Sequence, residues 1–148
     1  MIDLLAILSN KSLIISVIAW FSAQILKFLT CIVQNKKMDW GTLIATGGFP
    51  SSHAAIVSAL ATSIGINFGF DSGLFAVAVI LASVVLTDAR GIRQAAGKQA
   101  KILNKIIEDL YQKRGLQMER LKELLGHTSL EVFSGALLGI LIAVLFNI

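Results

Sequence analysis

The sequence predicts an all-α fold, a polytopic membrane helical bundle with about four spans and one amphipathic helix on its surface. Three observations carry that expectation. The 148 residues are 55% hydrophobic and only 15% charged, whereas a soluble domain carries about a quarter charged residues. The charges sit at the ends of long uncharged runs, and the mean hydropathy is +0.78. Pro50 is the only proline, so little interrupts those runs as helices. A single membrane domain covering 1–148 is expected at this length.

Taken in order, Met1 to Leu8 is an apolar octet closed by Ser9-Asn10-Lys11. It is too short to cross a bilayer and belongs at the interface or against the bundle. It has no basic start and no small-residue cleavage site, so no cleaved signal is expected. Residues 13–33 have the length of a spanning helix. Gln24 and Lys27 share one face of it, three residues apart. A lysine at that depth either snorkels to the headgroups or faces a polar site. Lys36 to Gly48 connects to the next helix, with Trp40 as an interface anchor. Spans near 53–70 and 73–88 follow, joined by a turn at Gly69-Phe70-Asp71-Ser72-Gly73. From 98 to 113 the apolar residues Ile102, Leu103, Ile106, Ile107 and Leu110 recur at helical spacing opposite Lys101, Lys105 and Glu108. That pattern predicts a surface helix. A last span runs near 129–147. The pairs Gly65/Gly69 and Gly135/Gly139 allow close helix packing in lipid and a homodimer.

The chemistry gathers at two stretches. Gly47-Gly48-Phe49-Pro50-Ser51-Ser52-His53 forbids regular structure up to Pro50, after which Ser51 or Ser52 can cap a helix. A helix start leaves backbone N–H groups unpaired and carries about half a positive charge, which suits an anion such as phosphate. His53 lies in that first turn, with an ordinary pKa of about 6.5 suited to proton transfer. Gly126-His127-Thr128-Ser129-Leu130-Glu131 echoes the pattern before the last span. Thr128 and Glu131 match a capping box. Counting crossings brings Pro50–His53, Asp88–Arg93 and Gly126–Glu131 to one membrane face. All the lysines and arginines except Lys11 and Lys27 belong to that face, so the positive-inside rule makes it cytoplasmic. The net charge of +4 is therefore a topology signal, and no nucleic-acid partner is expected. The single cysteine, Cys31, excludes an intramolecular disulfide.

Pro50-Ser51-Ser52-His53 resembles the Pro-Ser-Gly-His motif of the type 2 phosphatidic acid phosphatase and vanadium haloperoxidase superfamily. His127-x-x-x-Glu131-Val132-x-x-Gly135 resembles its His-x-x-x-Asp-Val-x-x-Gly motif at the same spacing. With Ala23-Gln24-x-x-Lys27, Asp88-Ala-Arg90-Gly-Ile-Arg93 and Leu121-Lys-Glu-Leu-Leu-Gly-His-Thr, the resemblance is to the small divergent branch and covers nearly the whole chain. It implies a phosphatase of the bacterial inner membrane acting on a lipid phosphate or pyrophosphate, with membrane lipids around it and no cofactor. By resemblance, His127 is the nucleophile, Glu131 orients it in place of the usual aspartate, and His53 protonates the leaving alcohol. Ser51, Ser52, Lys27, Arg90, Arg93 and Lys122 are the candidate phosphate-binding residues. The superfamily's Lys-x6-Arg-Pro motif is absent, and Leu121 stands where an arginine is expected. Those departures leave open a second function, a catalytically reduced lipid-phosphate-binding or scaffolding membrane protein. A third is a magnesium-dependent enzyme using Asp88, Glu123 or Glu131 as oxygen ligands.

Overall fold

The four long apolar helices begin where a short polar side chain satisfies the first turn. A computed structural model describes residues 4–35, 48–112 and 128–148. Its helices are α1 (Leu4–Leu8), α2 (Lys11–Asn35), α3 (Ser52–Phe68), α4 (Gly73–Arg90), α5 (Ile92–Gln112) and α6 (Ser129–Asn147). Asn10 Oδ1 accepts the Leu13 N–H at 3.0 Å at the start of α2. Ser51, rather than Ser52, caps α3, its Oγ accepting from Ala54 N at 3.4 Å. Ser72 caps α4 by accepting from Phe75 N at 3.2 Å. At α6 the predicted capping box is present. Thr128 Oγ1 accepts from Glu131 N at 3.3 Å, and Glu131 Oε2 accepts from Thr128 N at 2.9 Å.

Helix α3 is the axis of the bundle, with α2, α4 and α6 all packed on it. Register fixes the directions. Ser63 Oγ donates to Ser12 Oγ at 3.0 Å, while Thr30 Oγ1 donates to the Phe49 carbonyl at 2.9 Å. The start of α2 therefore lies at the end of α3, and the two run antiparallel. Helix α6 instead runs parallel to α3. Gly135 rests on the Ser51 carbonyl and Gly139 on the Ala55 carbonyl, and Asn147 meets Asn67 at 2.8 Å at the other end. A Cβ at Gly135 or Gly139 would overlap those carbonyl oxygens, so the glycine pair sets the closeness of α3 and α6. The other pair divides its work. Gly65 receives the rings of Phe70 and Phe75, whereas Gly69 ends α3 with φ +92, its N–H bonded to the Gly65 carbonyl at 3.0 Å.

The inside of the bundle is small and the outside large. Ala19, Ala23, Ala54, Ala55, Ala59 and Ala143 are completely buried. Ile15 and Ile142 join Ala19, Ala59 and Ala143 in the core cluster. Phe21, Leu29, Val77, Ile80, Val84 and Leu145 are half or more exposed. Water would penalise that arrangement, but lipid does not, and small interior residues let helix backbones approach. Helices α2, α4 and α6 are long and apolar enough to cross a membrane. Helix α3 has 17 residues, at the short end of the spanning range. The protein is an all-α membrane bundle.

Helix α5 leaves α4 at Gly91 and starts six residues before the predicted surface helix, running through the buried Gly97. Ile102, Leu103 and Ile106 are exposed, as are Lys98, Lys101 and Lys105. The predicted loop at 36–47, with Lys36, Lys37 and Trp40, lies outside the described residues.

Candidate active site

The α3 start is built by its neighbours as much as by its own sequence. Gly48 has φ +100, a region that L side chains rarely adopt, and a Cβ there would lie 3.1 Å from Lys27 Cγ. That glycine lets the backbone lie on the aliphatic stem of Lys27. Lys27 is only 2% exposed, so it faces the motif and does not snorkel. Gln24, one turn away on the same face, is buried as well. Thr30, one turn further on, holds the Phe49 carbonyl. The side of α2 bearing Gln24, Lys27 and Thr30 is thus a wall of the candidate site.

The two motif stretches are joined directly. Ser51 N donates to the Glu131 carbonyl at 2.9 Å, and Gly135, one turn on, packs under the Ser51 carbonyl. Two parallel helix starts therefore lie side by side, and their partial positive charges add at one place. Ser51 and Ser52 are buried. His53 is half-buried in the first turn of α3, with Nδ1 enclosed. The Glu131 carboxylate lies within electrostatic reach of the Lys27 ammonium. Its cap to Thr128 uses one lone pair of a group that has about four, so capping and a second partner are compatible. His127 immediately precedes this cap; His127 itself, Lys122 and Glu123 lie outside the described residues.

Arg90 ends α4 and is exposed. It lines a cavity of about 400 Å³ with Leu86, Thr87, Gly91 and, from α6, Val132. That places Arg90 across from the residue next to Glu131. Arg93 falls in the first turn of α5, and its side chain lies outside the described residues. Among the described residues no three His, Cys, Asp or Glu side chains gather as metal ligands.

Two contributors escaped the sequence reading. Thr30 carries no motif, although its place three residues after Lys27 puts it on the face already singled out. Gly48 reads from sequence as a breaker, and only the fold reveals that it seats a lysine.

Comparison with known proteins gives this arrangement a family. The family model described as "Divergent PAP2 family" matches residues 8–142. A membrane protein of Bacillus subtilis (strain 168), named "Uncharacterized membrane protein YuiD", is 40% identical over 147 residues. That match covers 92% of this chain and 93% of the relative. No solved structure matches. The chain belongs to the divergent PAP2 family.

Proposed function

We propose that this divergent PAP2 family member is a membrane phosphatase that hydrolyses a lipid phosphate or pyrophosphate through a phosphohistidine intermediate. The observation that carries the reading is the bond from Ser51 N–H to the Glu131 carbonyl. It fastens the segment bearing His53 to the helix that begins just after His127, and a buried lysine stands beside both. A phosphoryl group seated there meets two helix starts and a cation, the kind of preorganised charge that phosphoryl transfer needs.

In this mechanism an imidazole nitrogen of His127 attacks phosphorus, and the P–O bond to the lipid alcohol breaks. His53 gives its proton to the departing oxygen. The resulting phosphohistidine is attacked by water, His53 takes up the water proton, and inorganic phosphate leaves. Glu131 steadies the positive imidazolium of His127. Lys27, Ser51 and Ser52 hold phosphoryl oxygens, and Arg90, Arg93 and Lys122 are further candidates for the same role. Helix α3 is then a fourth crossing, at the short end of the spanning range. The charge count supports a site on the cytoplasmic side of the inner membrane.

A second reading has its own support. The Glu131 carboxylate that would serve His127 is engaged as the α6 cap, which is all that a non-catalytic anion-binding protein needs from it. Purified protein incubated with a panel of lipid phosphates and pyrophosphates separates the readings. Phosphate release that survives a chelator and disappears in His127→Ala supports the phosphatase. Tight binding of the same lipids without release supports the binding protein. Release abolished by chelator and restored by magnesium supports the metal-dependent enzyme.

A further inference from the structure

On the side of α3 away from α2, helices α4 and α6 meet at only a few points and leave a groove between them. Its volume is about 280 Å³. The floor is α3, through Ser58, Ala61 and Thr62; the walls are Val79, Ala82 and Ser83 of α4 and Ile140 of α6. These floor residues are small, which is why the surface is concave here. Phe70 and Phe75, packed edge to face at 5.1 Å, close one end. At the other end stands Leu86, which also lines the cavity holding Thr87, Arg90 and Val132. The apolar groove and the cationic cavity are therefore neighbours sharing one wall residue.

We propose that this groove holds the hydrocarbon chain of a lipid phosphate whose head group lies against Arg90 and the start of α6. The polarity of the two cavities is that of an amphiphile, apolar along the helices and cationic where α4 ends. From Phe75 to Leu86 the groove runs roughly 16 Å at a helical rise of ~1.5 Å per residue. A chain reaching down from one surface spans half of the ~30 Å hydrocarbon core, so the lengths agree. Because the groove opens sideways between two spans, the lipid reaches the site from within the bilayer and need not leave it. A second copy of the chain would match the apolar groove but would leave the adjoining cation unexplained. The head-group half of the proposal rests on the phosphatase reading; the chain half rests on the groove alone.

The test needs no turnover. Protein in phosphatidylcholine nanodiscs is irradiated with a single-chain alkyl phosphate bearing a diazirine in mid-chain, and the labelled residues are mapped by mass spectrometry. Labelling is expected at Val79, Ser83 and Ile140, competed by unlabelled alkyl phosphate and reduced several-fold in Ser83→Trp and Val79→Trp. Both side chains are exposed at the groove wall, so the added rings fill the groove without disturbing the core. Labelling that is equally strong at the outward-facing Val77 and Ile80, or undiminished in both tryptophan variants, overturns the proposal. So does a disulfide between copies formed by Ser83→Cys in a Cys31→Ala background that persists on dilution in lipid. Competed labelling in the groove with no phosphate release on any lipid keeps the groove and removes the phosphatase. Release with dispersed labelling does the reverse.

Discussion

At the scale of single residues, the two histidines are assigned different work, and they should fail differently. A nucleophile is required whatever departs. His127→Ala is therefore expected to abolish turnover on every substrate and to remove an acid-labile phosphoenzyme. A general acid matters when the leaving oxygen is strongly basic, as in a lipid alcohol, and its loss there costs roughly 100- to 10,000-fold. A nitrophenyl phosphate departs as a stable phenolate and hardly needs the proton. His53→Ala should lose lipid turnover and keep much of its nitrophenyl activity. Equal loss of both substrates in both variants would end the assignment. Gly48 gives a second residue-scale test. With φ +100 and the Lys27 stem 3.1 Å from a built Cβ, Gly48→Ala is expected to cost about 1–3 kcal/mol. Because the same change pushes on Lys27, KM for the lipid phosphate should rise as well. A lowered melting temperature with unchanged KM would confine Gly48 to a structural role.

At the scale of helices, the legibility of the sequence depended on how local the cause was. The starts of α3, α4 and α6 were readable because Ser51, Ser72 and Thr128 act on N–H groups within their own first turns. The beginning of α5 was not. Arg93, Gln94 and Gly97 interrupt the apolar period, and the helix passes through them by continuing on from α4. Lys27 was equally undecidable, since snorkelling and facing a site require the same residue at the same depth. Part of what covers it is Gly48, twenty-one positions later in the chain. The glycine spacings looked alike in sequence yet divided in space. Gly135 and Gly139 seat α6 on α3, whereas Gly69 turns the chain. Adding side chains at the first pair should therefore separate the two motif stretches. Gly135→Val and Gly139→Val are each expected to destabilise by about 1–3 kcal/mol through overpacking, read as a shift in detergent unfolding. Only Gly135 lies beside the Ser51–Glu131 bond, so Gly135→Val should also lose lipid-phosphate binding in the folded fraction. If Gly139→Val loses binding to the same extent, the pair acts only through global packing.

At the scale of the whole molecule, the question is which way the bundle faces. The parallel register of α3 with α6, and the antiparallel register of α2 with α3, bring the end of α2 to the starts of α3 and α6, and the cavity that Arg90 shares with Val132 brings the end of α4 there too. Lys11 stands at the opposite end, where α2 begins. Lys98, Lys101 and Lys105 follow α4 out on the site's side. Basic residues near span ends set orientation because translocating them is unfavourable, so the richly basic end is expected inside the cell. A phosphatase oriented this way would act on lipid phosphates of the inner leaflet. Opposed cysteines test it in a Cys31→Ala background: Lys98→Cys at the site end and Lys11→Cys at the other. Both parent side chains are exposed. In intact spheroplasts an impermeant maleimide should label the cysteine at position 11 and spare the one at 98, which should react only after lysis. The reverse pattern would put the site on the outer face and its substrate in the outer leaflet. Labelling of both from outside would contradict the register itself, because the two positions would then share a face.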